Sequence, residues 1–311
     1  MRRSHVLTPG LTLIVVCAVA AVRYPAFLTI ENLLNILRQN SMLGIIAAGM
    51  SLVILSGGID LSVGSVASLS GVVAASMSYH GSVPALASAA ALGILAGLIN
   101  GLLVTTVRLQ PFVATLATMM AFRGAAFLVA HDTSVRLAKS AALLSFLGRG
   151  RWIGVPIPVI LLLGVFAVVT FIARRTRLGL HIYSLGDSEE ASSLLGMNVQ
   201  RTKLTAYAIS GVLAASAGVL LAARLGAAQP VAATGWELDA ISAVVVGGTL
   251  LTGGRGSVPA TFIGLLLLGV LLNIFNLEGT ISPWWQGLLR GALLLVFVIV
   301  QRGTRTQPAV A

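Results

Sequence analysis

From end to end of the chain, long apolar runs alternate with short polar breaks. Crossing a hydrocarbon core of about 30 Å takes about 20 mainly apolar helical residues. The runs recur near that length and lack the period-two alternation of a membrane strand. The pattern predicts an all-α polytopic membrane protein with about ten transmembrane helices, placed near 7–22, 41–56, 63–79, 83–107, 112–130, 153–173, 204–223, 238–251, 257–276 and 284–300. An even number of spans puts both termini on one side. Arg174, Arg175, Arg177, Arg201 and Lys203 share that side with the basic residues at both ends, so the positive-inside rule makes it cytoplasmic. Segment 131–151, with Arg136, Lys139, Arg149 and Arg151, then falls outside as a structured loop and runs against the rule.

Composition agrees with the pattern. Of 311 residues, 57% are hydrophobic and 9% charged, against roughly 25% charged in an average soluble domain. The net charge of +11 comes mostly from basic residues beside span ends, so it reports topology and gives no reason to invoke nucleic acid; lipid is the expected surroundings. Cys17 is the one cysteine, which excludes an internal disulfide framework and a thiolate metal site. The apolar run that contains it, preceded by Met-Arg-Arg, reads as an uncleaved first span, since similar runs follow throughout. His5, His80, His131 and His181 are scattered, and neither a phosphate-binding loop nor a nucleophile elbow is present. The chain therefore reads as a non-enzyme without a metal or cofactor of its own.

The chemistry worth weighing lies where polar residues interrupt the runs. In SGGIDLSVGS, residues 56–65, Gly57 and Gly58 break the helix before Asp60. A carboxylate in hydrocarbon costs about 2.5–3.5 kcal/mol on insertion scales. The simplest role for Asp60 is to cap the third span, accepting N–H bonds from the residues two and three on, with Ser62 and Ser65 as local partners. A gate, a pathway position or a proton-coupling site are the alternatives. Gly93, Gly97 and Gly101 line one helix face beside Asn100 and suit close packing within or between chains. GGIDLSVGSV, 57–66, is echoed by GGTLLTGGRGSV, 247–258, hinting at duplicated gating elements. Arg123 either snorkels outward or lines a polar path, and Glu237 and Asp239 fit a helix start. In 186–203, Asp187 or Ser188 can cap a short helix with Glu189 and Glu190 in its first turn and Gly196 at its end. Such an element suits force transmission from a partner.

Five stretches in order, NILRQNSMLGIIAAGMSLVILSGGIDLSVGS, GLINGLLVTTVRLQPFVATLATMMAFRG, GDSEEASSLLGMNV, ELDAISAVVVGGTLLTGGRGS and GVLLNIFNL, make 32–302 resemble the permeases of ribose-type, or monosaccharide, ABC transporters. The departures are Ala191-Ser192 for paired alanines, Thr249-Leu250-Leu251-Thr252 for T-S-L-T, and Leu272-Asn273-Ile274-Phe275-Asn276 for N-N-G-L-N. The resemblance implies one permease domain over 1–311 in a bacterial inner membrane, with a fold similar to vitamin B12-type importers and a cytoplasmic coupling segment near 174–203. It also implies a second permease copy or paralogue, cytoplasmic ABC ATPases that carry ATP and magnesium, and an external or periplasmic solute-binding protein. By similarity the helix near 188–196 is the ATPase contact, through Glu189, Glu190, Ala191, Ser192, Leu195 and Gly196. Gly57, Gly58, Asp60, Ser62, Asn100, Arg123, Asn273 and Asn276 are the gate or pathway candidates. An ion-coupled secondary transporter that uses Asp60 is the rival reading.

Overall fold

The computed structural model describes residues 4–279 and separate positions between 285 and 299. Its helices are α1 (Ser4–Arg23), α2 (Ile30–Leu55), α3 (Val63–Met77), α4 (Ser82–Thr105), α5 (Pro111–Ala130), α6 (Ala142–Arg149), α7 (Ile157–Arg175), α8 (Arg177–Asp187), α9 (Glu189–Leu194), α10 (Val199–Leu225), α11 (Trp236–Val246) and α12 (Val258–Glu278). Four two-residue strands form two small antiparallel pairs: β1 (Val135–Arg136) with β4 (Ala227–Ala228), and β2 (Arg151–Trp152) with β3 (Val155–Pro156). The protein is an all-α, multi-pass membrane protein, and among the described residues six helices, α2, α4, α5, α7, α10 and α12, are long and apolar enough to cross a bilayer.

α2 and α10 form the centre. The most apolar stretch of α2 is 83% buried and that of α10 is 67% buried, whereas α5 buries only 22% and faces outward along most of its length. α4 lies on α10 through its glycine face. A methyl group on Gly97 would collide with the Tyr207 carbonyl and come within 2.7 Å of Ala208 Cα, and one on Gly101 would sit 3.1 Å from Leu204 Cα. This face therefore serves close packing inside one chain.

Two expectations change. The second span was placed at 41–56, but α2 begins at Ile30, with Thr29 accepting from the Asn32 N–H at its start. Polar residues there depress the hydropathy yet are paired: Asn32 exchanges two hydrogen bonds with Asn273, and the Asn40 amide donates to the Ile36 carbonyl. The third span lies close to its expected place, whereas the eighth is shorter than expected. α3 has 15 residues and α11 has 11, about 22 and 16 Å at 1.5 Å per residue. α11 ends at Val246 where Gly247 and Gly248 turn the chain, so 247–251 is not helical as expected. The structured loop expected at 131–151 contains α6. The last expected span, 284–300, lies outside the described residues apart from separate positions.

Candidate functional site: a sealed carboxylate and a three-way glycine junction

Between α2 and α3 the chain turns sharply, with Gly57 at φ 80° and the Gly58 N–H returning to the Val53 carbonyl at 3.0 Å. The turn delivers Asp60 to the middle of the bundle, 1% exposed. Its Oδ1 accepts from the Ser62 backbone N–H at 3.0 Å, the Ser62 hydroxyl at 2.7 Å and the Asn100 amide at 3.3 Å. Oδ2 accepts from the Ser210 hydroxyl at 3.1 Å. Asn100 also donates to Ser62 Oγ at 2.7 Å, and its carbonyl oxygen accepts from Thr118 Oγ1 at 2.6 Å. One residue earlier, the Ile59 carbonyl accepts from the Tyr207 hydroxyl at 3.1 Å and from Thr115 at 3.4 Å.

Every donor to Asp60 is neutral. A buried carboxylate is tolerable when its lone pairs are filled by hydrogen bonds, and here they come from the start of α3, from α4 and from α10, with α5 joined through Thr118. The arrangement ties four helices to one turn. Of the proposed cap, the bond from Ser62, two residues on, is present. Ser62 itself is the N-cap residue and its side chain makes no cap bond to the helix.

The two glycine-broken segments, related in sequence only by a weak echo, touch each other. The Gly254 N–H donates to the Leu55 carbonyl at 3.0 Å. A methyl group on Gly253 would lie 2.7 Å from Gly57 N and 3.0 Å from Gly186 Cα. One on Gly186 would overlap both the Leu55 carbonyl oxygen and the Gly254 nitrogen. Three backbones thus meet without side chains between them: the end of α2, the 252–254 turn and the last turn of α8.

α9 follows that junction at once. Ser188 Oγ accepts from the Ala191 N–H at 3.1 Å, Glu189 and Glu190 occupy the first turn, and Gly196 stands at φ 77° beyond the end. Glu189 forms an ion pair with Lys203 of α10, which is 9% exposed, and this fixes α9 to the body. Glu190, Ala191 and Gly196 are exposed, Leu194 is 84% and Leu195 77% exposed, while Ser192 is buried and faces inward.

The remaining candidates lie elsewhere. Asn273 pairs with Asn32 between α12 and α2, and Asn276 is exposed one turn further on. Arg123 leaves α5 to donate to Thr234 Oγ1 at 2.7 Å. Sequence reasoning missed Thr118, Ser210 and Tyr207, because their partners are 18, 150 and 148 residues away. It also missed Gly186, for which the only signal was a glycine placed just before a capped helix.

A sealed polar network, glycine-broken half-length helices and an exposed capped helix at one end of an apolar bundle define a transport permease. Residues 32–298 match the family described as the branched-chain amino acid transport system / permease component, and the chain belongs to that family. It is 44% identical to the ribose import permease protein of Escherichia coli (strain K12) over 93% of this chain and 91% of that one. It is 40% identical to the ribose import permease protein of Bacillus subtilis (strain 168) over 95% and 92%. With the fructose import permease protein of Rhizobium meliloti it shares 36% identity over 87% and 77%. No solved structure matches the chain.

Proposed function

We propose that the chain is the membrane-spanning subunit of an ATP-driven importer that forms the path for a sugar or sugar-like solute delivered by an external binding protein. The family description names branched-chain amino acids, but the similar relatives are named for ribose and fructose, so a polyhydroxylated solute is the better reading. The observation that carries the coupling role is α9. Two adjacent leucines stand exposed on a capped short helix that is pinned by Glu189–Lys203 and directly follows the three-way glycine contact. Glu189, Glu190, Ala191, Leu195 and Gly196 form its outward surface and seat in a cytoplasmic ABC ATPase, which binds ATP and magnesium. Ser192 supports the helix from behind. The working unit contains two permease subunits in a bacterial inner membrane, with both termini on the ATPase side. The ion-coupled alternative is disfavoured by the relatives, which are named as import permeases, one of them an L-arabinose ABC transporter permease protein of Azospirillum brasilense.

The test joins topology to coupling. With Cys17 replaced, a cysteine at exposed Ser193 should react with an impermeant maleimide only from the cytoplasm, and one at exposed Ser134 only from outside. Gly196→Pro and Ala191→Trp should leave the permease inserted while ATPase co-purification or uptake is lost. Labelling of both sites from one side, or wild-type uptake by both variants, would refute the reading.

A further inference from the structure

The stretch between α10 and α11 returns into the bundle before helix resumes. The Ala233 N–H donates to Ser68 Oγ at 3.3 Å, and the Ala233 carbonyl lies against Gly64. Ser68 stands about 13 Å along α3 from its end at Met77, at 1.5 Å per residue, so the returning stretch reaches into the bundle before α11 begins. Non-helical backbone at such depth is tolerated only against protein or a water-filled path. Here Val231 and Thr234 of the returning stretch are exposed.

Two charged side chains stand at this break with capacity unused. Glu237, in the first turn of α11, is 9% exposed; its Oε1 accepts from the Gly235 N–H at 3.3 Å, and its Oε2 is buried without a partner. That oxygen lies against Gly64, where a methyl group would overlap it, so α3 gives up a side chain to admit the carboxylate. From α5, Arg123 gives Nη1 to Thr234 Oγ1 at 2.7 Å and keeps Nε and Nη2 buried without partners. Buried polar atoms left unbonded cost about 1–3 kcal/mol each. Three such atoms, two on Arg123 and one on Glu237, stand on residues tied to the 233–237 stretch.

We propose that Arg123, Thr234 and Glu237 form a solute-binding station partway along the membrane path, built for a neutral polyhydroxylated molecule. Carboxylate oxygens accept from hydroxyls and guanidinium N–H groups donate to hydroxyl oxygens, so adjacent hydroxyls on one sugar satisfy both. A neutral solute leaves the charges of Glu237 and Arg123 balanced, whereas a net charge would not. The proposal deepens the importer reading and rests on it. It adds specificity inside the membrane to whatever the delivering protein selects.

Solute protection of a reporter thiol tests it. Leu238, exposed beside Glu237, is replaced by cysteine with Cys17 removed, in the full transporter reconstituted in nanodiscs. Maleimide labelling is timed against D-ribose, L-arabinose, D-fructose and L-leucine. At least one of the three sugars should slow labelling and leucine should not. Glu237→Gln and Arg123→Gln, nearly isosteric or shorter, should each raise the half-protecting concentration about tenfold or more, as expected for a lost charged hydrogen bond. Protection by leucine alone, no protection by any sugar in the parent protein, or unchanged half-protection in both variants would overturn the station. The parent measurement decides the matter even if a variant folds poorly. ATP-dependent sugar uptake without protection would sink the station and leave the importer; protection with uptake indifferent to ATP would do the reverse.

Discussion

Gly186→Ala is the sharpest perturbation the structure offers, because it adds one methyl group where three backbones touch. The new carbon would overlap the Leu55 carbonyl oxygen and the Gly254 nitrogen, which are themselves joined by a 3.0 Å hydrogen bond. Neither atom belongs to a flexible side chain, so relief requires the turns to separate. Breaking a buried backbone bond costs about 1–3 kcal/mol, and overpacking a tight interior about 1–3 kcal/mol more. The sum, about 2–6 kcal/mol, is large beside the 5–15 kcal/mol that typically holds a protein folded. With shifts of about 2–4 °C per kcal/mol in sizeable chains, the melting temperature in detergent should fall by on the order of 5–10 °C or more. Gly164→Ala is the control: Gly164 is exposed within α7 and nothing would meet its methyl group. Relief of glycine's helix penalty, up to about 1 kcal/mol, should leave that variant as stable as the parent or slightly more so. Thermal unfolding followed by fluorescence-detected size exclusion measures both. If Gly186→Ala melts within about 2 °C of the parent, a shift worth about 1 kcal/mol or less, and its solute-stimulated ATP hydrolysis is normal, the three-way contact is not the joint described above.

Two further outcomes follow from the packing. Asp60→Asn keeps one acceptor oxygen for Ser62 and can donate to Ser210, so thermal stability and uptake should change little. Asp60→Leu leaves buried donors on Ser62, Asn100 and Ser210 unpaired and should cost about 3 kcal/mol or more. Collapse of uptake in Asp60→Asn alone, together with dependence on the proton gradient at constant ATP, would instead establish ion coupling. Gly97→Leu should abolish monodisperse protein by driving α4 off α10, whereas Leu95→Val, at a side chain 59% exposed, should be silent in the same chromatographic assay.

How far the sequence could be read depends on the range of the interactions concerned. Apolar runs located most of the helices because hydropathy is a local property, and caps located α9 because Ser188, Glu189 and Gly196 act within a few residues. The start of α2 escaped because Asn32 and Asn40 look unfavourable until Asn273 and the Ile36 carbonyl are in place. Asp60 showed its Ser62 partner two residues away, but Asn100 and Ser210 lie 40 and 150 residues off. Arg123 was expected to snorkel or line a path. Its reach to Thr234, 111 residues on, brings it beside a chain break that hydropathy drew as part of a span's approach. The Asp60 and Arg123 groups, held together as one set of candidates by the sequence, share no hydrogen-bond partner, one being sealed and the other having unused bonding capacity.

That separation gives the 56–62 turn a mechanical meaning in the importer. Gly57 touches the 252–254 turn and the end of α8, while Asp60, three residues later, is bonded to α4 and α10 and through Asn100 to α5. A displacement of α9 therefore reaches the turn through backbone contacts that contain no side chain to absorb it. It then meets a network whose bonds are buried, which resists opening because each orphaned donor would cost about 1–3 kcal/mol. The lower-energy response is for α3, α4, α5 and α10 to move as one body. Both Arg123 on α5 and Gly64 on α3 ride on that body, whereas Glu237 belongs to α11. If α9 is the ATPase contact proposed above, its motion would change the spacing between the two charged halves of the proposed solute station without breaking the Asp60 network.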